Sequence, residues 1–523
     1  MARDRPVNNC GADPLVRAGP PGPGSPYRGT RRRFLSAGLV GLTAKAERQV
    51  AGNFVNESHQ AGHRLRDHAA MKTPSRIVRI PVVIAGGGMA GLSAAWRFQK
   101  KHFSDFVLLE MEQQAGGNSR SGGNEISEYP WAAHYLPVPN QNTVLVREML
   151  EEFGILKNGK FEERHLCHTP QERLFIHGRW QDGLEPEVGA TAKDRHQYKE
   201  FEKRMQEFRD SRQYTIPMEL GAKPSDLDKI SMKQWLRQQK FDSPYLDWYV
   251  DYSTRDDYGA SSSEVSAWAG VHYFASRERE EKGPLTWPEG NGWILKRLLE
   301  RVNRFVKTNA MVYRIEKAGT EWRILTEDTE YRARAVVYAA PLFTAPYVID
   351  GAPPVKGFEY SPWLTANLTL DRIPAGQPAW DNVIFGSLSL GYVDAMHQSL
   401  RTHIDRSVWT YYWALAEASP IESRKRLLAN DWGYWKEAIL ADLERAHPDI
   451  RQCVSRIDIM RMGHAMARPV PGFLTSQSRL DLAHRKGTFV FAHADLSGFS
   501  IFEEAQYRGV LAADRVLSAL YGK

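Results

Sequence analysis

The chain has 523 residues, which is enough for two or three domains, and its apolar and charged fractions of 42% and 25% are ordinary for a globular protein. Residues 1–46 hold eight basic and two acidic side chains and so carry +6 of the net charge of +7, which leaves the remainder nearly neutral and indicates no nucleic-acid partner. No apolar run approaches the roughly 18 residues that cross a bilayer, so we expect no integral membrane segment.

The N-terminal stretch has the order of an export signal. Residues 1–29 are rich in Pro, Gly and Arg and are expected to be disordered. Thr30–Leu35 resembles the twin-arginine (Tat) motif, and a short apolar stretch and an A-x-A cleavage site follow. We therefore expect a Tat signal peptide over residues 1–46, recognition by the Tat export machinery, and a periplasmic or extracellular protein that is exported folded. Residues 47–76 are polar and are predicted to be a linker.

A glycine-rich turn follows the first predicted strand, residues 80–85. Gly86, Gly88 and Gly91 form G-x-G-x-x-G, and a predicted helix begins at Leu92. In this motif the first glycine permits a tight turn, the second lets the backbone approach a pyrophosphate, and the third lets helix and strand pack closely. The free N–H groups at the start of the helix would face the phosphates.

An acid ends the next predicted strand, residues 106–109. Glu110 lies at the spacing from the glycines where a carboxylate can hold a ribose 2′-hydroxyl. Strand, glycine turn, helix, strand and acid together predict an ADP-containing dinucleotide, without specifying which one.

The residues after Glu110 resemble those of a known family of flavoproteins. An acid at a strand end followed by Gly116-Gly117 resembles the fingerprint of the flavin amine oxidase and phytoene desaturase-like flavoproteins. The resemblance implies that the Gly-Gly loop lets the backbone reach FAD and that an arginine follows it closely. In this chain Asn118 follows the two glycines directly, and the arginine is Arg120. Arg120 is expected to contact the phosphates of FAD, although an arginine at such a position is also typical of a solvated surface.

Residues 129–153 are similar to the small-residue stretch that lies against the flavin ring in that family, with its following helix. The resemblance implies that Ala132 and Ala133 let the backbone approach the isoalloxazine, with His134 and Tyr135 near its reactive face as candidate catalytic residues. A histidine there could accept a proton or hydrogen-bond the flavin, and a histidine packed in a loop for structural reasons is an equally open interpretation.

Two later segments also resemble motifs of this family, and they follow in the same order along the chain. Val312 fits a strand whose valine backbone meets the adenine, and Asp495 fits the acid that holds ribityl or phosphate oxygens. Ser500 and Glu503 have the spacing of a capping box, which predicts a helix with Ser500 as its N-cap. The positive end of that helix would stabilise the negative charge of a reduced flavin.

The remaining segments are assigned to substrate binding. Aromatic residues interleaved with acids between Tyr245 and Tyr258 could line a pocket or form core. Alternation along the strand predicted over residues 407–415 puts Trp409, Tyr411 and Trp413 on one face and Val408, Thr410 and Tyr412 on the other, and one of these faces could wall a substrate cavity. Residues 422–446 are predicted to be a charged surface helix, and residues 464–472 a loop.

Cysteine and histidine indicate no metal site. His165-Leu166-Cys167-His168 is the one metal-like cluster, and it lacks a second half with the spacing that zinc sites show. Cys167 and Cys453 could pair once or not at all, so no disulfide framework is expected.

The resemblance implies an α/β fold with a Rossmann-like FAD-binding domain of the glutathione reductase-2 type and an interleaved α+β substrate domain. The FAD-binding domain would comprise residues 77–160, 285–345 and 456–523, and the substrate domain residues 161–284 and 346–455. The residues expected at FAD are Gly86, Gly88, Met89, Ala90, Gly91, Glu110, Gly116, Gly117, Arg120, Ala132, Ala133, Val312, Asp495, Ser500 and Ile501.

The function expected from these segments is that of an FAD-dependent oxidoreductase that removes a hydride from an amine-like small molecule to flavin N5. Two alternatives stay open: a flavin desaturase or isomerase of a polyene- or porphyrin-like substrate, and a non-catalytic flavin- or nucleotide-binding protein. A dehydrogenase that uses NAD alone would leave the loop at Gly116-Gly117 unexplained.

Overall fold

The computed structural model describes most of the chain after the predicted signal. The described residues are 49–55, 59–67, 69–278, 283–376, 379–399, 401 and 403–522. The predicted Tat signal peptide and its cleavage site lie outside the described residues. Among the described helices, none combines the length and the apolar character that crossing a membrane would require.

The strands are numbered in chain order. They are β1 (Ala51–Phe54), β2 (Arg76–Ala85), β3 (Phe106–Leu109), β4 (Ser121–Gly123), β5 (Glu128–Pro130), β6 (Tyr135–Leu136), β7 (Leu156–Lys157), β8 (Lys160–Phe161), β9 (Glu172–Ile176), β10 (Arg179–Asp182), β11 (Leu285–Thr286), β12 (Val306–Lys307), β13 (Arg314–Ala318), β14 (Glu321–Leu325), β15 (Thr329–Tyr338), β16 (Tyr360–Leu370), β17 (Asp381–Ile384), β18 (Gly391–Asp394), β19 (Ser407–Ala414), β20 (Val454–Ala467) and β21 (Phe489–Phe491).

The α-helices are numbered in the same way. They are α1 (His59–Arg66), α2 (Met89–Lys100), α3 (Val144–Glu152), α4 (Ala192–Asp210), α5 (Met232–Gln238), α6 (Pro244–Tyr258), α7 (Ala267–Ala275), α8 (Gly292–Val302), α9 (Ala345–Val348), α10 (Pro420–Ala429), α11 (Trp432–Glu444), α12 (Ile450–Cys453), α13 (Gln477–Ala483) and α14 (Phe502–Tyr521).

The first sheet has the order β12-β3-β2-β15-β14-β13, with β21 also pairing with β15. Its central strand β2 runs parallel to both β3 and β15. The last four residues of β2, Val82 to Ala85, are buried, as expected for an apolar run covered on both faces. β2 begins four residues before the predicted start because Arg76 already pairs with Thr329 on β15. This parallel core confirms the α/β class.

The second sheet has the order β1-β20-β16-β19-β18-β17-β9-β10. β16 is buried along its whole length and pairs with β20 from Tyr360 to Leu370. The prediction of a loop over residues 464–472 is therefore wrong in its first part, because β20 continues to Ala467 to satisfy the backbone of β16. The predicted boundary at residue 456 also falls inside β20, which belongs to this sheet. The division into an FAD-binding and a substrate domain stays a prediction.

The segment predicted to be a linker is structured. β1 pairs in parallel with β20, with Ala51 opposite Arg456, and α1 follows it. The linker prediction is wrong for these residues because a polar sequence can still add an edge strand to a sheet whose long strand β20 has a free side.

The predicted surface helix over residues 422–446 is two helices, α10 and α11, separated at Asn430 and Asp431. Asp431 starts the second helix by accepting a hydrogen bond from the Tyr434 N–H. One side of the pair is core rather than surface, because Trp435 and Ile439 pack against the Trp409 face of β19. The face with Trp409, Tyr411 and Trp413 therefore packs in the core. Only the opposite face, which carries Tyr412, can border a site.

Helices α2 and α14 lie in close contact. A Cβ on Gly509 of α14 would lie 2.1 Å from the Ala90 carbonyl oxygen of α2, so only glycine permits this approach. The contact brings the first turns of the two helices to the same cavity.

Candidate active site

A cavity of about 600 Å³ lies where β2, β3, α2 and α14 meet. Most of the residues predicted to bind FAD line it: Gly86, Gly88, Met89, Ala90, Glu110, Gly116, Gly117, Arg120, Ala133, Val312, Asp495, Ser500 and Ile501. Gly91 and Ala132 are not among the lining residues. Gly91 packs beneath the turn, and Ala132 lies behind Ala133, where its carbonyl accepts a hydrogen bond from the Tyr412 hydroxyl. Val312 lies two residues before the start of β13 rather than within a strand.

The glycine turn has the geometry of a phosphate seat. Gly86 has a φ of +111°, and a Cβ on Gly91 would lie 2.0 Å from the Gly86 carbonyl oxygen. A Cβ on Gly88 would meet no atom within 4 Å, so this glycine keeps space open at the cavity. α2 begins at Met89, three residues earlier than predicted, and no side chain caps it. Its first N–H groups are thus available to an anion such as a pyrophosphate.

Glu110 organises this turn as well as bordering the cavity. Its carboxylate accepts 2.8 Å hydrogen bonds from the N–H groups of Gly87 and Glu112. Burial raises the pKa of Glu110, and the hydrogen bonds from the Glu112 and Gly87 N–H groups oppose that rise. The contact with a ribose hydroxyl stays a prediction.

The Gly116-Gly117 loop covers the glycine turn. A Cβ on Gly117 would lie 3.3 Å from the Gly88 Cα, and both glycines of the loop have positive φ values of +133° and +55°. Arg120 follows the loop and borders the cavity. Its Nη1 donates to a Glu112 carboxylate oxygen at 2.9 Å, and its contact with a phosphate of FAD stays a prediction.

Asp495 is buried at the edge of the cavity and is held by two hydrogen-bond donors and a neighbouring histidine, whose Nδ1 accepts from the Asp495 N–H at 3.2 Å. Its Oδ2 accepts from the Tyr360 hydroxyl at 2.8 Å and the Leu342 N–H at 3.1 Å, and its Oδ1 lies 3.0 Å from His493 Nδ1. Burial opposes the ionised form, but His493, Tyr360 and the Leu342 N–H together hold the pKa of Asp495 below its usual value. The predicted contact with ribityl or phosphate oxygens stays a prediction, and sequence reasoning missed Tyr360 and His493.

The predicted capping box at α14 is wrong. Ile501 is the N-cap, and the Ser500 hydroxyl instead accepts a hydrogen bond from the Ala467 N–H at 3.0 Å. Glu503 is fully buried, its Oε1 binds Arg277 at 2.5 Å, and its Oε2 has no hydrogen-bond partner among the described residues, so the reciprocal bond of a capping box is not formed. The first N–H groups of α14 therefore have no side-chain cap, and with Ile501 and Phe502 at the cavity they can face negative charge.

His134 and Tyr135 follow Ala133 in the chain, but they are not among the residues that line this cavity. The His134 ring stacks on Tyr412 with centroids 4.6 Å apart, and its Nδ1 lies 3.3 Å from the Ala132 carbonyl oxygen. Burial lowers the pKa of His134 to about 4, so the imidazole is neutral at neutral pH. Burial, with Asp256 and Asp257, raises the pKa of Tyr135 well above its usual value.

These two residues belong to a group of rings that we call the aromatic chamber: His134, Tyr135, Tyr252, Trp380 and Tyr412. His134 and Tyr135 retain accessible surface although burial dominates their pKa values.

Met462 and Ala465 border the FAD cavity and also pack against the hydrophobic cluster that contains Tyr252, Trp380 and Tyr412, so the chamber's rings lie beside that cavity. Sequence reasoning missed Trp380, and it had pointed to Tyr252 only as one of a run of aromatic residues. The run between Tyr245 and Tyr258 was the available signal, since α6 contributes Tyr252 from it.

The family model of flavin-containing amine oxidoreductases matches residues 89–517. The chain belongs to this family. Its members carry a flavin, and the cofactor of this oxidoreductase is FAD. The glycine turn, the open space at Gly88 and the uncapped start of α2 fit a dinucleotide with a pyrophosphate. The expectations of an FAD-dependent enzyme and of the α/β fold are confirmed.

Solved structures share the fold of this flavin amine oxidoreductase at low sequence identity. A putrescine oxidase bound to putrescine is 16% identical with a TM-score of 0.65, over 84% of this chain and 100% of that one. The cyclohexylamine oxidase from Brevibacterium oxydans IH-35A is 14% identical with a TM-score of 0.65, over 84% and 99%. A fatty acid isomerase from P. acnes is 13% identical with a TM-score of 0.59, over 83% and 98%. No curated protein sequence matches the chain.

Proposed function

We propose that this enzyme oxidises an amine, which enters the aromatic chamber and presents the carbon next to its nitrogen toward the FAD cavity. Bound FAD supplies the hydride acceptor. The observation that carries the proposal is that the rings of the chamber lie beside the FAD cavity, next to Ala133, Met462 and Ala465, and that Asp256 and Asp257 act electrostatically on one of them, Tyr135. Ring faces and carboxylates together attract an ammonium ion.

The residues of the chamber have separate roles in this proposal. Tyr412 fixes the Ala132 carbonyl through a 2.9 Å hydrogen bond and holds the His134 ring by stacking. The neutral His134 imidazole can accept a hydrogen bond from the amine nitrogen and so help to orient it, while its low pKa makes it a poor base toward an ammonium ion. Tyr135 stays protonated and contributes a ring wall and a hydroxyl donor.

A desaturase or isomerase acting on a polyene or fatty acid is the second candidate, supported by the fold shared with the fatty acid isomerase. Acids at the chamber count against a fatty acid, whose carboxylate they would repel when ionised. A polyene has no charged group with which those carboxyl groups could interact.

Anaerobic incubation of the purified holoenzyme distinguishes these functions. Bleaching of the visible absorbance of the oxidised flavin by primary or secondary amines supports the proposal. Bleaching by a polyene but by no amine would replace it with the desaturase, and an absorbance unchanged by amines, amino acids and polyenes would favour a binding role.

We also propose that the enzyme is exported folded through the Tat pathway, with FAD already bound. The support is the order of residues 30–46: Thr30, twin arginines, Phe34-Leu35, a short apolar stretch and a small-residue cleavage site.

A further inference from the structure

We infer that α1 is part of the FAD site: it closes the cavity over the bound cofactor, and β1 and α1 together keep FAD in place. We call these two elements, β1 and α1, the N-terminal arm. The arm lies before residue 89, where the match to the family model begins, so the motifs of that family do not account for it. The inference concerns retention of the cofactor and does not depend on which substrate the enzyme oxidises.

One face of α1 lines the FAD cavity. Four of its lining residues are His59, Gly62, His63 and Arg66. Residues three and four positions apart lie on the same side of a helix, so these four form a single stripe along α1 that borders the cavity. The glycine turn borders the same cavity, so α1 and the turn enclose one continuous space.

Gly62 leaves room on that face. A Cβ on this residue would meet no atom within 4 Å, although Gly62 lies in the middle of the helix and at the cavity. Glycine inside a helix is less favourable than alanine, so the sequence gives up helix stability at this position. Gly88 at the glycine turn likewise leaves open space at the cavity. The space beside Gly62 is therefore available to the cofactor.

Other residues of α1 attach it to the first sheet. Leu65 is buried and belongs to the hydrophobic cluster that contains Leu109 of β3 and Met311. The Arg64 guanidinium forms an ion pair with Glu327, which lies between β14 and β15. Arg64 is not among the residues that line the cavity, so this attachment is separate from any contact with FAD.

β1 attaches the arm to the second sheet. Its backbone pairs in parallel with β20. Gly52 has a φ of +140°, and a Cβ on it would lie 1.9 Å from the Ile457 carbonyl oxygen, so only glycine permits this approach. None of the described residues of β1 lines the cavity. The arm is thus attached to both of the sheets that border the cavity, at points that lie outside the cavity lining.

These attachments give the arm a kinetic role. FAD that leaves past α1 must displace the helix, and displacement breaks the packing of Leu65 and the ion pair of Arg64. Weakening either attachment should therefore speed the release of FAD without altering a residue that contacts the cofactor.

The first test measures exchange of FAD by the holoenzyme. The enzyme is incubated with an excess of isotopically labelled FAD, and mass spectrometry of the protein-bound flavin gives the exchange rate. Gly52→Ala should exchange tenfold faster or more, because its Cβ cannot fit against β20. Arg64→Gln should exchange about threefold faster, as expected for the loss of a half-exposed ion pair.

Arg79→Gln is the matched control for the ion pair. It removes the pairing of Arg79 with Glu321, which lies on the same sheet but outside the arm, and it should keep the wild-type exchange rate. Circular dichroism checks that each variant is folded.

The second test changes the face of α1 at the cavity. Gly62→Ala should speed exchange by about fivefold, because its methyl group enters space that the cofactor uses, even though alanine favours the helix. Gln60→Ala, at an exposed position of α1 that does not line the cavity, should keep the wild-type rate.

Two results would overturn the inference. One is exchange no faster than wild type in both Arg64→Gln and Gly62→Ala. The other is a flavin that stays attached to the denatured protein, because a covalent bond rather than the arm would then retain it. Neither measurement uses an amine, so the inference can fail or hold independently of the proposed amine oxidation.

Discussion

The Tyr412 hydroxyl donates a 2.9 Å hydrogen bond to the Ala132 carbonyl oxygen and so joins the second sheet to the backbone beside the FAD cavity. The same tyrosine ring stacks on His134. One side chain of β19 therefore holds the segment that lies between the FAD cavity and the aromatic chamber.

Tyr412→Phe should keep the ring but release the Ala132 carbonyl. Because a partly buried acceptor loses its donor, we expect the free energy of unfolding to fall by about 1 kcal/mol. Flavin reduction by an amine should slow by roughly tenfold, since a misplaced reacting group costs rate without a loss of cofactor. Denaturant unfolding and anaerobic reduction measure the two effects. Tyr521→Phe, at an exposed ring near the chain end, should change neither.

Gly88→Ala and Gly91→Ala should separate cofactor binding from folding. A Cβ at residue 88 would point into open space in a backbone conformation that alanine accepts, so this variant should fold and lose FAD. A Cβ at residue 91 would lie 2.0 Å from the Gly86 carbonyl oxygen, so this variant should lose both FAD and stability. Flavin content and thermal melting measure the two losses. Retention of full FAD by Gly88→Ala would show that the pyrophosphate lies elsewhere, and Gly433→Ala on α11 is the matched control.

Asp256→Asn should change how stability depends on pH. The folded protein raises the pKa of Asp256 to about 7, so the folded state holds this proton at pH values where the unfolded chain has released it. Stability is therefore lost as pH rises from the unfolded pKa to the folded one. The difference in the free energy of unfolding between the variant and wild type should therefore shift in the variant's favour by about 1–3 kcal/mol between about pH 4 and about pH 8. Urea unfolding at both values measures the gain, and equal pH profiles for the two proteins would contradict the buried carboxyl.

Replacement of Arg31 and Arg32 by lysine should block export if the Tat proposal holds, because the export machinery reads the arginine pair. Fractionation of expressing cells should show flavin-loaded wild-type protein in the periplasm or medium and the double variant in the cytoplasm. Lysine at Arg28, outside the motif, is the control. Equal export of all three proteins would exclude the Tat route.

The sequence predicts the cofactor half of the site far better than the substrate half. Gly86, Gly88 and Glu110 act within one strand-turn-helix-strand unit, so their spacing alone carries their geometry. The aromatic chamber draws Tyr135, Trp380 and Tyr412 from distant parts of the chain, and only the pairing of β17, β18 and β19 brings the last two together.

The incorrect prediction of a capping box also results from contacts between residues far apart in the chain. Ser500 and Glu503 have the local spacing of a cap, but a tertiary partner, Arg277, takes the glutamate and the Ala467 N–H takes the serine hydroxyl. A local pattern predicts local structure only where no distant residue offers a stronger interaction. The predicted linker failed in the same way, because β20 offered an edge to residues 51–54.

Anaerobic reduction of the holoenzyme by 1,4-diaminobutane, followed by rapid-mixing absorbance, tests the central claim most directly when repeated with the substrate deuterated at the carbons next to nitrogen. Amine oxidation from the aromatic chamber predicts bleaching of the oxidised flavin, slowed several-fold by deuterium because the carbon–hydrogen bond breaks in that step. A flavin that stays oxidised with this diamine and with every other amine would contradict the account.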